Sequence, residues 1–181
     1  KGKGRELHHA IFGPSFYSFQ IENNYFIVLD NADKKGLDTK QKQWLEKELA
    51  MAMHYNRRII FMHVPLYDPR GGHHHCLPKE SSDMLITLFI KYGVTHVFAS
   101  HIHGYFEGEW KGIPYTISGG AGAKLPGDDP THYFFHFLKV YIKDGNLDIQ
   151  VKHVLPSDYK WLSIFSCKTW SRLFVYIRFS E

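Results

Sequence analysis

Three histidines lie just after two apolar segments of the chain. His63 follows the apolar run at residues 58–62, and His101 and His103 follow the apolar run at residues 94–99. If both runs form strands of an open α/β sheet, their carboxyl ends border the crevice where such sheets bind ligands. Because imidazole binds Zn, Fe, Mn, Co and Ni, we expect these three side chains to hold a metal ion.

Composition and local spacing both favour a metal site made of imidazoles. The chain has 13 histidines and 2 cysteines, so histidine is the more abundant candidate ligand. In the segment 100–104, the apolar Ile102 separates the two histidines and is expected to turn away from them. Pro65 restricts the backbone of Val64, which stiffens the chain just after His63.

A loop at residues 66–78 carries further groups that could contact a substrate. Arg70 has a planar guanidinium that matches the oxygens of a phosphate group. His74 and His75 belong to a histidine triplet in the same loop and could overhang the crevice. We therefore predict substrate contacts from these three side chains, and a solvated loop is the alternative interpretation of the triplet.

A glycine-rich segment follows later in the chain. Residues 119–122 are Gly-Gly-Ala-Gly, and the missing side chains would let backbone amides approach a phosphate. A tight turn between two strands is an equally good interpretation, so the sequence leaves both open.

The order of predicted elements indicates how these groups are positioned. Apolar strands that alternate with helices, followed by a run of hairpins, are typical of a layered α/β sandwich. Asp38 can cap a helix, and Gln41 three residues later completes a pattern like a capping box. The predicted elements are a helix at 4–12, strands at 16–21 and 25–29, a helix at 38–54, a strand at 58–62, a helix that begins at Ser81 or Ser82 and ends at Gly93, and strands at 94–99, 105–110, 113–118, 133–142 and 147–154.

Length and charge exclude several classes of protein. With 181 residues the chain can form one domain, or a domain with an appendage, at ~150 residues per domain. The 22 basic and 18 acidic residues are interspersed, so nucleic-acid binding is not indicated. No apolar run reaches the ~18 residues of a transmembrane helix, which leaves a soluble or peripherally membrane-associated protein as the expectation. The two cysteines form no CxxC motif and leave the redox compartment open.

Several short motifs follow one another in a fixed order. They are residues 12–19 (FGPSFYSF), 29–31 (LDN), 43–49 (QWLEKEL), 62–65 (MHVP) and 100–104 (SHIHG), with 108–110, 113–115 and 118–122 after them. Together they resemble the C-terminal half of a calcineurin-like metallophosphoesterase. The resemblance covers about residues 10–153, and the ordered set is far more specific than any one motif.

The resemblance implies a fold and an activity. The fold would be a layered αββα sandwich of the metallophosphoesterase type, N-terminally incomplete. The activity would be that of a hydrolase, a phosphatase with a dinuclear metal site that carries two ions drawn from Mn, Fe and Zn. His63 and His101 would bind one ion and His103 the other. Two adjacent cations would lower the pKa of a water molecule between them and so supply the nucleophile.

Three motifs of the family are absent from this sequence. Asp-x-His, Gly-Asp-x-x-Asp and Gly-Asn-His-Asp/Glu would supply a bridging carboxylate, an Asn ligand and the acid/base histidine, which is therefore expected upstream and is not assigned here. Ser100 also stands where the family usually has glycine. We expect a truncated chain that is weakly active or inactive by itself, and a non-catalytic module with a single weak metal site is the alternative.

The last segment of the chain has a different character. We expect residues 1–155 to form the C-terminal portion of a metallophosphoesterase-like domain and residues 156–181 to form a basic aromatic tail. The tail could pack on the domain, or it could lie at a membrane surface and make the chain a membrane-peripheral interaction protein. A homo-oligomer could cover the edge that an incomplete sandwich leaves open.

Overall fold

The fold combines a few helices with many short strands. The computed structural model describes residues 4–33, 35–143, 146–154 and 175–179 of the 181-residue chain. In chain order the elements are α1 (Gly4–Phe12), β1 (Tyr17–Ile21), β2 (Asn24–Val28), α2 (Thr39–Ala52), β3 (Arg57–Phe61), α3 (Lys79–Lys91), β4 (His96–Ala99), β5 (Tyr105–Trp110), β6 (Ile113–Ser118), β7 (His136–Lys143), β8 (Asn146–His153) and β9 (Val175–Phe179).

The strands form two sheets. The larger sheet has six strands in the order β1-β2-β3-β4-β6-β5, and the smaller has three in the order β8-β7-β9. In the larger sheet β2, β3, β4 and β6 are parallel, while β1 and β5 are antiparallel strands at its two edges. In the smaller sheet β7 pairs antiparallel with β8 and parallel with β9.

Alternating side chains of the central strands belong to two separate cores, because successive residues of a strand point to opposite faces. Ile60 of β3 belongs to the core formed with the helices, whereas Ile59 belongs to the core between the sheets. The helix-side core includes Ile27, Leu45, Leu49, Leu85, Phe89 and Val97. The inter-sheet core includes Phe26, Phe98, Leu138, Val140 and Ile142. The result is the predicted α/β sandwich, with helix, sheet and sheet layers within the described ranges.

The parallel strands bring distant parts of the chain together at one edge of the sheet, the edge formed by the carboxyl ends of these strands. Because β2, β3, β4 and β6 run in the same direction, the residues that follow them emerge at that edge. Backbone bonds continue the ladder past the strand ends, from Leu29 N to Phe61 O at 2.8 Å and from Met62 N to Phe98 O at 3.0 Å. The segments that contain Asn31, His63, His101 and Gly119 therefore meet there.

The start of α2 confirms the helix cap and corrects the predicted capping box. Asp38 Oδ1 accepts a hydrogen bond from Gln41 N at 2.8 Å, as expected for an N-cap residue. Gln41 does not reach back to the cap. Its Oε1 accepts from Asp30 N at 2.8 Å and its Nε2 donates to Asp30 O at 2.9 Å. The loop after β2 needs partners for its backbone groups, and the buried Gln41 supplies them.

Several predicted element boundaries differ from the structure by one to three residues, and two of the differences have a clear physical reason. Helix α3 begins at Lys79, because Ser82 is buried and its hydroxyl donates to Leu66 O at 2.5 Å within the core rather than capping the helix. Strand β7 begins at His136, because the residues before it form a turn in which Tyr133 N donates to Asp129 O at 2.8 Å.

The tail at residues 156–181 falls mostly outside the described residues. Strand β9 is the described part of it and pairs with β7 in the register Leu138↔Val175. The prediction that the tail lies at a membrane surface falls mostly on residues outside the described ranges. Searched over its described parts, the chain contains no helix that is both long and apolar enough to span a bilayer.

Candidate metal site

Asn31 holds the segment that carries His63. Its side chain is 1% exposed, and its Oδ1 accepts hydrogen bonds from His63 N at 2.7 Å and Val64 N at 3.2 Å. Its Nδ2 donates to Val64 O at 2.8 Å. An amide side chain can both accept and donate, so one residue satisfies three backbone groups just past the end of β3. The sequence motif contains Asn31 but does not reveal this role, whose local signal is a polar residue two positions after the predicted strand at 25–29.

The backbone of the loop after β4 turns sharply at His101. Its φ of 60° lies in the left-handed region, which is uncommon for a residue other than glycine and is associated with functional sites. Ile102 N donates to Ser100 O at 2.6 Å, and the Ile102 side chain is 1% exposed. The burial of Ile102 in the helix-side core agrees with the expectation that it turns away from the two histidines, and it anchors the loop between them.

His63 and His101 come together as predicted. Nε2 of His63 lies 3.1 Å from Nδ1 of His101, and the ring centroids are 5.0 Å apart with the planes at 75°. The other ring nitrogen of His63, Nδ1, lies 2.9 Å from the hydroxyl of Ser100. The edge of the sheet therefore presents two imidazole nitrogens side by side.

His103 is held by a backbone carbonyl. Its Nδ1 lies 2.9 Å from Lys124 O, and a carbonyl oxygen can only accept, so Nδ1 carries the proton. In a neutral imidazole the other nitrogen, Nε2, then keeps its lone pair. A hydrogen bond of this kind is what commonly orients a histidine that binds metal.

These histidines border a cavity of about 400 Å³. The residues that line it are His63, Arg70, His75, His101, Ile102, His103 and Pro126. Arg70 Nε and Nη2 each donate to Asp68 at 2.8 Å, one bond to each carboxylate oxygen. The Arg70 guanidinium holds the pKa of the Asp68 carboxyl below its usual range, against the effect of burial.

The histidine triplet of the loop reaches the cavity through its last member. The ring centroid of His75 lies 5.6 Å from that of His101, with the planes tilted by 41°. His74 is exposed in the same loop. The structure therefore brings Arg70 and His75 to the cavity with the three candidate ligands, whereas His74 is not among the described residues that line it.

The donor atoms fit a metal ion at His63 and His101. Two nitrogens bound at about 2.0–2.1 Å to a tetrahedral Zn²⁺ lie about 3.3 Å apart, close to the 3.1 Å between these two atoms. Over the described ranges, no group of three or more His, Cys, Asp or Glu is arranged to hold a metal ion. The geometry therefore supports a two-nitrogen binding position that other ligands would have to complete.

Charge also distinguishes this cavity. Its described lining contains imidazoles and a guanidinium, and none of those lining residues carries a carboxylate. Two divalent cations close together repel each other strongly unless negative ligands lie between them. A cavity of this composition suits an anion and one cation better than two cations.

Comparison with known proteins finds phosphatases. Serine/threonine-protein phosphatase CPPED1 of Pongo abelii is 31% identical over 143 residues, which cover 72% of this chain and 44% of that protein. Fe(3+)-Zn(2+) purple acid phosphatase 12 of Arabidopsis thaliana is 34% identical over 113 residues, covering 59% of this chain and 23% of that protein. The chain thus spans less than half the length of these relatives. No protein-family model matches it.

Two solved structures were also found by shape. GAP50, the anchor in the inner membrane complex of Plasmodium, aligns with a TM-score of 0.46 and 18% identity over 66% of this chain and 42% of its own. Purple acid phosphatase PPD1 from yellow lupin (Lupinus luteus) seeds aligns with a TM-score of 0.44 and 21% identity over 68% of this chain and 27% of its own.

Proposed function

Because this chain is a homologue of the calcineurin-like metallophosphoesterases, we propose that it supplies the histidine part of a metal-dependent phosphoester hydrolase. The observation that carries the proposal is the 3.1 Å separation of His63 Nε2 and His101 Nδ1 at the edge of a cavity. In this proposal residues 1–155 are part of the catalytic domain, and residues 156–181 are a tail whose described part, β9, adds a strand to the smaller sheet.

His63 and His101 are proposed to bind one metal ion, and His103 to bind a second when carboxylate ligands are present. The relatives named as purple acid phosphatases make Fe and Zn the first candidates, with Mn a third. A bound metal ion supplies an activated water molecule and neutralises charge on the phosphate. The protein's own contribution is to hold the imidazoles, which Asn31 and the Ser100–Gly104 loop do through buried backbone bonds.

The metal proposal predicts how the chain binds Zn²⁺. We expect about one Zn²⁺ per chain in a calorimetric titration, and at least ~10-fold weaker binding by His101→Ala, since it removes one of two paired nitrogens. The matched control is His54→Ala, which removes an exposed histidine outside the cavity. Equal affinity in His101→Ala and the unsubstituted chain would contradict the assignment.

Hydrolysis is measured separately on the metal-loaded chain. The probes are p-nitrophenyl phosphate and a phosphoserine peptide, because relatives are named as acid and protein phosphatases. We expect weak turnover at most. Metal binding without any turnover would favour the non-catalytic module with a single weak metal site, which the carboxylate-free lining of the cavity also supports.

Arg70, His74 and His75 are proposed to contact the phosphoester. Asp68 occupies the Nε and Nη2 edge of the Arg70 guanidinium, and Tyr133 is a further hydrogen-bond partner. Since arginine has five N–H donors, others remain for an anion. The ion pair therefore fixes the direction of the guanidinium without consuming it. The side chain of Arg70 is 27% exposed, as a group that meets a ligand from solvent requires.

Loss of Arg70 is expected to weaken anion binding. We predict that Arg70→Ala raises the dissociation constant for inorganic phosphate ~10-fold or more, because a charge-assisted hydrogen bond contributes roughly 1.5–3 kcal/mol. Arg70→Lys keeps the charge but not the fork and is expected to recover only part of the affinity. Lys47→Ala removes one positive charge from an exposed face of α2 and is the control for net charge. If both Ala variants bind phosphate equally, Arg70 is not a contact.

We also propose that a second copy of this chain covers the open edge of the sandwich. The exposed apolar side chains of α1 and the edge strand β1 support this, because they leave a face without a described partner layer. They are Leu7, Ile11, Phe12, Tyr17, Phe19 and Ile21. A membrane contact through residues 156–181 stays a prediction.

A further inference from the structure

We propose that Ser100 is a positioning residue that fixes the proton of His63 on Nδ1, so that Nε2 presents its lone pair to a metal ion. The inference rests on the proposed function in one respect, since it gives His63 a role as a metal ligand. From the sequence, Ser100 is notable only because the family usually has glycine at this position.

Ser100 contacts His63 at two points. Its backbone N donates to His63 O at 3.0 Å, which extends the pairing of β3 and β4 beyond the strand ends. Its side-chain Oγ lies 2.9 Å from His63 Nδ1. Ser100 is 5% exposed, so water competes little for either contact. The backbone bond fixes the position of the His63 backbone, and the hydroxyl fixes the orientation of the His63 ring.

The position of one proton decides whether His63 can bind a metal ion. A neutral imidazole carries a proton on one nitrogen and a lone pair on the other. If Nδ1 donates to Ser100 Oγ, then Nε2 presents its lone pair toward His101 Nδ1, 3.1 Å away, and accepts a hydrogen bond from it when no metal ion is bound. If the hydroxyl donates instead, Nε2 carries the proton and cannot bind. Only the first arrangement is compatible with a metal ion between the two rings.

A glycine at this position would keep the backbone bond and lose the hydroxyl. The proton on Nδ1 would then lose its acceptor, and the opposite tautomer would become more favourable. Hydrogen-bond partners of this kind change metal affinity by roughly 10–100-fold in metal sites generally. Loss of the Ser100 hydroxyl should therefore weaken metal binding by an amount that can be measured.

A second serine–histidine pair, which joins β6 of the larger sheet to β7 of the smaller one, provides a matched control. Ser118 ends β6, is 3% exposed, and its Oγ lies 3.0 Å from Nε2 of His136. His136 is 1% exposed, and its Nδ1 lies 2.9 Å from Phe134 O. Removing either serine hydroxyl takes one hydrogen-bond partner from an imidazole, so the two substitutions have comparable structural costs. Only the Ser100 pair borders the cavity.

The first measurement is Zn²⁺ affinity by calorimetry. The variants are Ser100→Ala, Ser100→Gly, Ser100→Thr and Ser118→Ala in the full chain. We expect ~10–100-fold weaker binding for the Ala and Gly variants at position 100, recovery toward the unsubstituted affinity in Ser100→Thr, and no change in Ser118→Ala. If Ser100→Ala binds Zn²⁺ as tightly as the unsubstituted chain, the inference is overturned.

The second measurement reads the tautomer of His63 without metal. Long-range ¹⁵N NMR distinguishes a protonated from an unprotonated ring nitrogen, and a His63→Ala variant identifies the signals. We expect Nδ1 to be protonated in the unsubstituted chain and in Ser118→Ala, and the tautomer to shift toward Nε2 in Ser100→Ala. If the tautomer of His63 is the same in Ser100→Ala as in the unsubstituted chain, the inference is overturned. If the tautomer changes in Ser100→Ala but the unsubstituted chain binds no Zn²⁺, the inference is supported and the proposed function is contradicted.

Discussion

Substitution of Gly119 by alanine is expected to displace the loop that carries His101 and His103. A Cβ atom at Gly119 would lie 2.1 Å from Ile102 O and 3.0 Å from the Cα of His103. Both are backbone atoms, and they move little because the Ile102 side chain is buried in the core. Overpacking of this kind costs roughly 1–3 kcal/mol or more. Here the strain falls directly beneath the candidate ligands, so Zn²⁺ affinity should drop ~10-fold or more as well.

Two measurements separate the effects of Gly119→Ala on stability and on the site. Urea unfolding gives the free energy of unfolding, and calorimetry at a temperature where the variant is folded gives the Zn²⁺ affinity. Gly4→Ala is the matched control, because a methyl group on Gly4 of α1 would have no atom within 4 Å. A Gly119→Ala variant with unchanged stability and affinity would show that the loop yields without moving its histidines.

The close approach at Gly119 bears on the two interpretations of the glycine-rich segment. Gly119 N donates to Gly104 O at 2.9 Å, so this amide is used within the protein. A Cβ at Gly120 would lie 2.2 Å from Nδ1 of His136 and 2.5 Å from Phe134 O. Tight packing against neighbouring loops therefore explains the need for glycine at both positions.

The features that the sequence predicted well are those with a local physical signal. Apolar runs of four to six residues indicate buried strands, and the polar residue after each run marks a strand end. Since parallel strands end at one edge, His63 and His101 could be predicted to meet, and their ring nitrogens lie 3.1 Å apart. The order of the motifs indicated the family, and the phosphatases among the relatives confirm that resemblance.

The features that the sequence did not predict depend on partners far apart in the chain. Asn31 bonds the backbone 32 and 33 residues later, and Ser100 contacts a histidine 37 residues earlier. The Gln41 side chain does not fill its predicted capping role and instead bonds the backbone of Asp30, 11 residues earlier. No local pattern reports such pairs, because they exist only once the strands have been placed side by side.

These distant contacts share one consequence, which is that the segments of the candidate site are held mainly by side chains that bond to the backbone. Gln41 fixes Asp30, the next residue Asn31 fixes the His63 segment, and Ser100 joins that segment to the end of β4. Segments that are already held by hydrogen bonds before a metal ion binds lower the ordering cost of binding. This support also means that one buried substitution can disturb both folding and ligand geometry.

Asn31 is the residue at which that double effect should be largest. Asn31→Ala removes the acceptor for two backbone amides and the donor for one backbone carbonyl, all at a position that is 1% exposed. Each buried group left without a partner costs roughly 1–3 kcal/mol. We expect the free energy of unfolding to fall by about 3 kcal/mol or more, and Zn²⁺ affinity to fall ~10-fold or more because the His63 segment loses its anchor.

The control and a second variant make the prediction for Asn31 specific. Asn56→Ala removes an exposed amide side chain and should leave both quantities within about 0.5 kcal/mol of the unsubstituted chain. Asn31→Asp keeps an acceptor for the two amides but turns a carboxylate oxygen toward Val64 O, where the amide donates at 2.8 Å. It should therefore be destabilised as well, because a carboxylate beside a carbonyl repels it in a buried position. If Asn31→Ala unfolds at the same urea concentration as Asn56→Ala, the segment is held by the strand pairing alone, and the role assigned to this side chain is wrong.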